Sequence, residues 1–219
     1  MLQPVMAALG VTFAEHRTIK YIWITIYVAV LIWSGINPKD QLTWFLEVAP
    51  AIVGGAVLLV TYSSFRLTPI LYSFILMHCI VLMVGGHYTY AEVPLFDSLK
   101  EIFGFERNNY DKVGHFFQGF VPALIAREIL IRKKVVNGRA WLNLFIISIS
   151  LAFSAFYELI EWWVALASGE NAKAFLGTQG YVWDTQSDMA LALVGAILAI
   201  LLLANTHDRQ LKNVTSQSR

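Results

Sequence analysis

Apolar runs long enough to cross a lipid bilayer recur along this chain of 219 residues. A spanning helix needs about 20 consecutive, mostly apolar residues, because its backbone polar groups must all be hydrogen-bonded within the segment. Hydrophobic residues make up 57% of the chain and charged residues 14%, which excludes an ordinary soluble domain. The sequence therefore predicts an all-α fold, a polytopic membrane helix bundle.

The length rule predicts six transmembrane helices. They run from Ile19 to Ile36, Leu42 to Tyr62, Pro69 to His87, Val113 to Ile131, Trp141 to Ala167 and Thr185 to Asn205. The second span is the least regular, because Glu47, Pro50 and two glycines interrupt it. The bundle is thus predicted as one domain of residues 19–205.

The basic residues set the orientation, because they concentrate in the short cytoplasmic loops of membrane proteins. An even number of spans puts both termini on one side, and eleven of the 16 basic residues fall on that side. These are Arg17, Lys20, Arg66, Arg127, Arg132, Lys133, Lys134, Arg139, Arg209, Lys212 and Arg219. We therefore predict a cytoplasmic N-terminal segment, residues 1–18, and a polar cytoplasmic tail, residues 206–219.

Acidic and histidine side chains gather at the ends of the spans that this orientation turns outward. They are His87, Asp111, His115, Glu158, Glu161, Asp184 and Asp188. All but the first form pairs three or four residues apart, so each pair shares one face of its helix. Charges at membrane depth are costly and commonly functional. We predict that the three faces form one polar pocket at the outer leaflet.

A divalent metal ion is one way to stabilise such a pocket, because carboxylates one helical turn apart repel each other in a low dielectric. The predicted ligands are Glu158, Glu161, Asp184 and Asp188, with His115 or His87 as a nitrogen ligand. These ligand types suit Mg²⁺, Mn²⁺, iron or Zn²⁺ and do not choose among them. The Glu-x-x-His motif of di-iron bundles is absent, which disfavours that particular site.

The same groups permit two interpretations without a metal. In the first, Asp111, His115, Glu158 and Glu161 are catalytic, with His115 accepting a proton beside Asp111 and a protonated glutamate acting as the acid. In the second, the groups are structural. Asp111 and Asp184 lie at predicted helix N-termini, where a carboxylate caps free N–H groups, and the others hydrogen-bond between helices.

Three further features lie outside the predicted pocket. Glu47 is expected to reach the outer interface, and His78 is expected to be a hydrogen-bonded core histidine. Between the third and fourth spans, apolar residues at helical spacing predict a short helix lying in the membrane interface. They are Leu95, Phe96, Leu99, Ile102 and Phe103.

Four motifs carry a resemblance to a known family. They are Gly86-His87-Tyr88-Thr89-Tyr90, Asn109 to Gly119, Tyr157 to Trp162 and Leu176 to Met189. In this order they resemble the YjdF-type family of bacterial inner-membrane proteins, a family of unknown activity. The Asp111-Lys112-x-x-His115 stretch is more distantly similar to VanZ-like proteins, whose association with glycopeptide tolerance implies envelope chemistry. The resemblance implies a multi-pass protein of the bacterial inner membrane.

From these observations we expect an enzyme or binding protein that acts on a lipid or lipid-linked envelope molecule. Its partners would be membrane lipids, and no nucleic-acid partner is expected. One alternative is a small ion- or proton-coupled transporter, which requires polar residues continuing to the cytoplasmic side. There the spans offer little beyond His78, Ser148, Ser150 and Ser154. A second alternative is a non-catalytic membrane assembly factor.

Overall fold

The computed structural model describes residues 13–168, 173–176 and 178–217, and its regular elements are all helical. The long helices are α1 (Phe13–Gly35), α2 (Gln41–Thr61), α3 (Pro69–Tyr88), α5 (Tyr110–Arg132), α6 (Arg139–Ser168) and α8 (Asp184–Gln217). The short elements are a 3₁₀ turn (Tyr90–Glu92), α4 (Pro94–Phe103) and α7 (Lys173–Leu176). A long helix therefore stands at each of the six predicted spans, and the all-helical membrane bundle is confirmed.

Among the described residues, four helices are long and apolar enough to cross a membrane: α2, α3, α6 and α8. In α1, residues Ile19–Gly35 form a shorter apolar helix. The remaining long helix, α5, is more polar, because it carries Asp111, His115, Arg127 and Glu128. These four side chains are nevertheless buried, so α5 lies inside the bundle with its polar groups turned toward its neighbours.

Helices α5 and α8 cross unusually closely, through glycine. A Cβ atom at Gly119 would lie 1.8 Å from the carbonyl oxygen of Ala192, and one at Gly195 would lie 2.2 Å from that of Phe116. Neither distance is compatible with a side chain, so both positions need glycine. One turn above this crossing lie His115 on α5 and Asp188 on α8, and the close approach brings these two side chains together.

The last helix differs from its predicted bounds. We predicted a span ending at Asn205 and a polar tail, but α8 continues to Gln217. This last part of α8 packs against the bundle, because His207 is completely buried and Asp208 accepts a hydrogen bond of 2.6 Å from Arg127 of α5. At the other terminus α1 begins at Phe13, and residues 1–12 lie outside the described part of the chain.

The predicted interfacial helix is present as α4. Its residues Leu95, Ile102 and Phe103 are each at least 65% exposed, whereas Phe96 packs against the ring of Tyr110 at 5.1 Å between centroids. An amphipathic helix with its apolar side uncovered in this way is suited to the boundary between lipid and water. It lies at the end of the bundle where α3 ends and α5 and α8 begin, which we call the outer end, following the predicted orientation.

Candidate functional site

Three helices bring four of the predicted site residues into contact at the outer end. The Nε2 atom of His115 lies 3.3 Å from an oxygen of Asp111 and 3.8 Å from an oxygen of Asp188. Its Nδ1 atom lies 3.8 Å from Oε1 of Glu158. The four side chains are between 4% and 13% exposed. We call Asp111, His115, Glu158 and Asp188 the outer cluster.

The outer cluster has the spacing of a metal site. One ligand atom each from Asp111, His115 and Asp188 lie within 4.8 Å of one another. Oε1 of Glu158 and Oδ1 of Asp188 are buried and have no hydrogen-bond partner. A buried polar atom left unpaired costs about 1–3 kcal/mol, and more if it is charged, so two such oxygens at one place indicate a site for a donor or a cation.

The neighbours of His115 fix which ring nitrogen faces the carboxylates. Oε1 of Gln118 lies 2.8 Å from Nδ1 and accepts its proton. Nε2 is therefore the nitrogen presented to Asp111 and Asp188. Histidines that bind metals through one nitrogen usually donate a hydrogen bond from the other, and Gln118 supplies that acceptor here. Sequence reasoning gave Gln118 no role, although it lies one turn from His115 on the same helix.

Arg107 connects the outer cluster to Asp184. Its guanidinium forms an ion pair with Asp184, and it lies 3.5 Å from an oxygen of Asp111. Arg107 is 8% exposed and lies in the loop before α5. The role of Asp184 as a metal ligand stays a prediction; in the structure its carboxylate is paired with Arg107. Asp111 was considered as a helix cap, but its carboxylate faces Arg107 and His115.

The loop that carries Arg107 is tied to the loop before α8. The backbone N–H of Asn108 donates to Oε1 of Gln179 at 3.0 Å, and the side-chain amide of Gln179 donates to the carbonyl of Asn108 at 2.9 Å. This reciprocal pair lies next to Arg107 in sequence, and it holds the two outer loops together beside the outer cluster. Residues 169–172 and 177 of the second loop lie outside the described part of the chain.

Two predicted site residues, Glu161 and His87, are not members of the outer cluster. Glu161 is close enough for its charge to interact with Glu158 and His115. His87 is not brought to the cluster: its Nδ1 lies 3.0 Å from the carbonyl oxygen of Ser34, and its ring lies 4.5 Å from that of Trp33. The last turn of α3 faces α1 at this point, so the structure does not bring His87 to the other predicted ligands, and its role as a ligand stays a prediction.

Glu47 was expected at the outer interface, and this prediction is wrong. The residue is only 4% exposed, and the hydroxyl of Tyr157 donates to its Oε2 at 3.2 Å. Tyr90, in the 3₁₀ turn, lies close enough to interact with the same carboxyl group. Burial, with nearby acidic groups, raises the pKa of the Tyr90 hydroxyl well above its usual range, so Tyr90 remains a neutral donor. The sequence did contain a signal for this burial. A glutamate within an apolar span is costly unless it faces polar partners.

His78 also departs from expectation, because its Nε2 atom is buried without a hydrogen-bond partner. Its ring is stacked on Phe117, with 6.2 Å between centroids. Ser154, one turn before Glu158 on α6, likewise has a buried hydroxyl without a partner. Both residues lie deeper in the bundle than the outer cluster.

A second buried polar network lies at the opposite end of the bundle. Glu128 accepts hydrogen bonds from His207 at 2.9 Å, Arg132 at 2.8 Å and the Thr68 hydroxyl at 2.8 Å. The guanidinium of Arg127 lies 3.2 Å from the other nitrogen of His207, so His207 accepts there and donates to Glu128. This inner network is fully paired and joins α3, α5 and α8. Sequence reasoning missed it, because Glu128 and His207 are 79 residues apart.

Residues 19–209 match a protein family described as "Predicted membrane protein (DUF2238)". The chain is 54% identical over 183 residues to the inner membrane protein YjdF of Escherichia coli (strain K12), an alignment that covers 84% of this chain and 88% of the relative. No solved structure matches the chain.

Proposed function

We propose that this chain, which belongs to the DUF2238 family of predicted membrane proteins, binds a divalent metal ion at the outer cluster and acts on a lipid or lipid-linked molecule of the cell envelope. Family membership confirms the resemblance predicted from four sequence motifs. The chain is a multi-pass protein of the inner membrane.

The observation that carries the proposal is the pair of buried, unpartnered carboxylate oxygens on Glu158 and Asp188. With Asp111 they place three carboxyl groups around one imidazole, and the nearest guanidinium, that of Arg107, is already shared with Asp184. The charges within the outer cluster are therefore not balanced by its own side chains. A divalent cation bound by Asp111, His115 and Asp188 would supply the missing positive charge and the missing partners.

The site is suited to activating a polar group of a substrate, or a water molecule, at membrane depth. A bound divalent ion would act as a Lewis acid or lower the pKa of a water molecule. Glu158 has an oxygen directed at the cluster and without a partner, so it is placed to accept a proton. Gln118 holds His115 in the orientation that presents Nε2.

The surroundings of the site favour a substrate anchored in the membrane. The residues that lead into α8 are apolar and uncovered: Tyr181 is 40% exposed, Val182 83% and Trp183 62%. Aromatic residues of this kind concentrate where hydrocarbon meets the headgroups. They immediately precede Asp184, which lies one turn before Asp188, and this favours a position of the outer cluster near headgroup depth. A lipid headgroup or a lipid-linked sugar reaches that depth without leaving the bilayer.

Elemental mass spectrometry on the purified protein tests the metal directly. We expect about one divalent metal ion per chain in protein purified without chelator. A Glu158→Gln, Asp188→Asn double variant should lose at least nine-tenths of it, because both unpartnered oxygens are replaced or neutralised. The matched control is Glu101→Gln, the same change at an exposed position on α4. The proposal fails if wild-type protein, also after incubation with Mg²⁺, Mn²⁺, Fe²⁺ or Zn²⁺, holds no more metal than the double variant.

The envelope role is tested by lipid analysis of cells that lack the protein. We expect a changed amount of at least one lipid or lipid-linked species, restored by wild-type protein but not by Glu158→Gln or His115→Ala protein present in the membrane at equal level. Full restoration by both variants would contradict a role for the outer cluster and favour an assembly factor.

A proton-coupled transporter is the second candidate, favoured by the unpartnered polar atoms of His78 and Ser154. These two atoms lie deeper in the bundle than the outer cluster, and the inner network adds the buried polar groups of Glu128 and His207 at the opposite end, which sequence reasoning had not considered. The two functions are separated in liposomes that contain a pH-sensitive dye. Transport requires proton movement that is lost in His78→Ala, whereas the enzyme leaves the lumenal pH unchanged.

A further inference from the structure

We propose that the inner end of the bundle carries a binding site for one anionic phospholipid, whose phosphate group lies among basic side chains from three separate segments of the chain. The site consists of residues that we call the inner basic patch: Lys20, Tyr62, Phe65, Arg66, Arg132 and Lys133. It lies at the end of the bundle opposite to the outer cluster and does not depend on a bound metal. The proposed function uses none of these residues.

The ring of Tyr62 gathers two of the cations. The Nζ atom of Lys20 lies 4.2 Å from the centroid of this ring, and the guanidinium carbon of Arg66 lies 5.6 Å from it. Cations at such distances are attracted to the face of an aromatic ring. Lys20 comes from α1 and Arg66 from the loop between α2 and α3, so Tyr62 brings together two segments that are distant in sequence.

The ring of Phe65 gathers two further cations from the end of α5. The guanidinium carbon of Arg132 lies 3.7 Å from its centroid and the Nζ atom of Lys133 lies 5.4 Å from it. Arg132 also donates to the carbonyl oxygen of Arg66 at 2.6 Å and pairs with Glu128 at 2.8 Å. The buried inner network therefore fixes Arg132 and, through it, the loop that carries Arg66.

The charge of the inner basic patch is not balanced by acidic side chains. Among the side chains that the structure describes, Arg132 is the one member of the patch that pairs with a carboxylate. Lys20, Arg66 and Lys133 leave three positive charges, and the last two of these residues are exposed. Like charges that are held together repel each other, and an anion bound among them removes that repulsion. The oxygens of a phosphate group accept hydrogen bonds from several such donors at once.

The depth of the patch matches that of lipid phosphate groups. Lys20 is the second residue of the apolar segment of α1, Tyr62 directly follows α2, and Arg132 is the last residue of α5. All three lie where a long helix of the bundle meets the edge of the hydrocarbon. Basic side chains at this depth attract the headgroups of anionic lipids.

An uncovered apolar face of α2 leads to the patch and provides a surface for acyl chains. Val53 is 61% exposed, Val57 53% and Val60 80%, and their spacing of four and three residues puts them on one side of the helix. This face ends at the part of the chain that carries Tyr62 and Arg66. A phospholipid gains apolar contact along α2 in addition to its phosphate contacts, which inorganic phosphate does not.

Native mass spectrometry of protein released from non-ionic detergent measures the bound lipid directly. Wild-type protein should bind phosphatidylglycerol at least about tenfold more tightly than phosphatidylcholine with the same acyl chains, because the patch attracts the anionic headgroup. An Arg66→Gln, Lys133→Gln double variant should bind phosphatidylglycerol about 20-fold more weakly, since each basic residue near an anionic headgroup contributes about fivefold. The matched control is Arg209→Gln, Lys212→Gln, the same change of charge at exposed positions of α8 at the same end. It should bind like wild type.

Two further measurements keep the test independent of folding defects and of the metal proposal. Lys20→Gln, on a different helix, should lower the affinity for phosphatidylglycerol by about fivefold on its own. Phosphatidylglycerol should raise the melting temperature of wild-type and control protein but not that of the Arg66→Gln, Lys133→Gln variant, because a ligand of the folded state stabilises it. Metal content should be the same in all of these proteins.

Three results would overturn the inference. In the first, wild-type protein binds the two lipids equally. In the second, both double variants lose the same affinity, which would mean that overall charge rather than the patch attracts the lipid. In the third, excess inorganic phosphate displaces phosphatidylglycerol completely, which would identify a site for free phosphate instead of a lipid.

Discussion

Arg107 shows how one side chain can hold the candidate site together. Its buried guanidinium pairs with Asp184 at the start of α8 and lies 3.5 Å from Asp111 at the start of α5. Without it, two buried carboxylates on different helices would face each other without a cation. An exposed pair has no such consequence: Lys39 and Glu92 form an ion pair whose side chains are each 51% exposed.

We therefore expect Arg107→Gln to lower the free energy of unfolding by about 3–5 kcal/mol, the usual cost of removing one partner of a buried ion pair. Lys39→Gln, the matched control, should change it by less than about 1 kcal/mol. Thermal unfolding in detergent, monitored by tryptophan fluorescence, gives the comparison. Adding Asp184→Asn to Arg107→Gln should recover part of the loss. Equal melting temperatures for the two single variants would show that the Arg107 pairs are not important for stability.

At the scale of elements, the crossing of α5 and α8 sets the separation of His115 and Asp188. The crossing depends on Gly119 and Gly195, where the opposing backbone leaves no room for a Cβ atom. Gly54, on α2, is the opposite case, because a Cβ atom there would have no neighbour within 4 Å. The three glycines look alike in the sequence, but only two of them determine how helices pack.

Gly119→Ala should therefore push α5 and α8 apart, costing about 1–3 kcal/mol or more from overpacking and lowering metal binding through the displaced His115. Gly54→Ala should stabilise the protein by about 0.5–1 kcal/mol, because alanine is favoured over glycine inside a helix. Unfolding in denaturant and metal content, measured on both variants, test the pair. An unchanged metal content in a destabilised Gly119→Ala protein would contradict the link between the crossing and the site.

The elements could largely be predicted from the sequence, whereas their rotations could not. Apolar length gives the positions of the helices, and spacing places Asp111 with His115 on one face. Which neighbour each face meets is decided by packing between distant segments. For this reason His87 turned out to face α1 and Glu47 to face inward. Arg107 lies in a loop, where no helical period indicates that it reaches two helices.

In the whole molecule, the two ends of the bundle differ in whether their buried polar groups are paired. At the inner end Glu128, His207 and Arg132 satisfy one another, and Asp208 completes the network through Arg127. At the outer end the carboxylate oxygens of Glu158 and Asp188 have no partner. A fully paired network stabilises a fold, whereas an incomplete one is the arrangement expected of a binding site. The asymmetry supports function at the outer end.

Which end of the bundle faces the cytoplasm stays a prediction, made from the distribution of the basic residues. We expect green fluorescent protein fused after the C-terminus to be fluorescent and alkaline phosphatase at the same place to be inactive, because each reports the side on which it folds. Alkaline phosphatase inserted after Gly104, in the loop between α4 and α5, should be active. The reverse pattern would put the outer cluster on the cytoplasmic side.

If the proposed function is right, His115 and carboxylates from α5 and α8 bind one metal ion. Electron spin echo spectroscopy of Mn²⁺-loaded protein detects this coordination, because a directly bound imidazole nitrogen modulates the echo. We predict ¹⁴N modulation in wild type, its loss in His115→Gln, and its retention in His87→Gln, whose histidine contacts Ser34 instead. Modulation that is absent from wild type, or that survives in His115→Gln, would contradict the account.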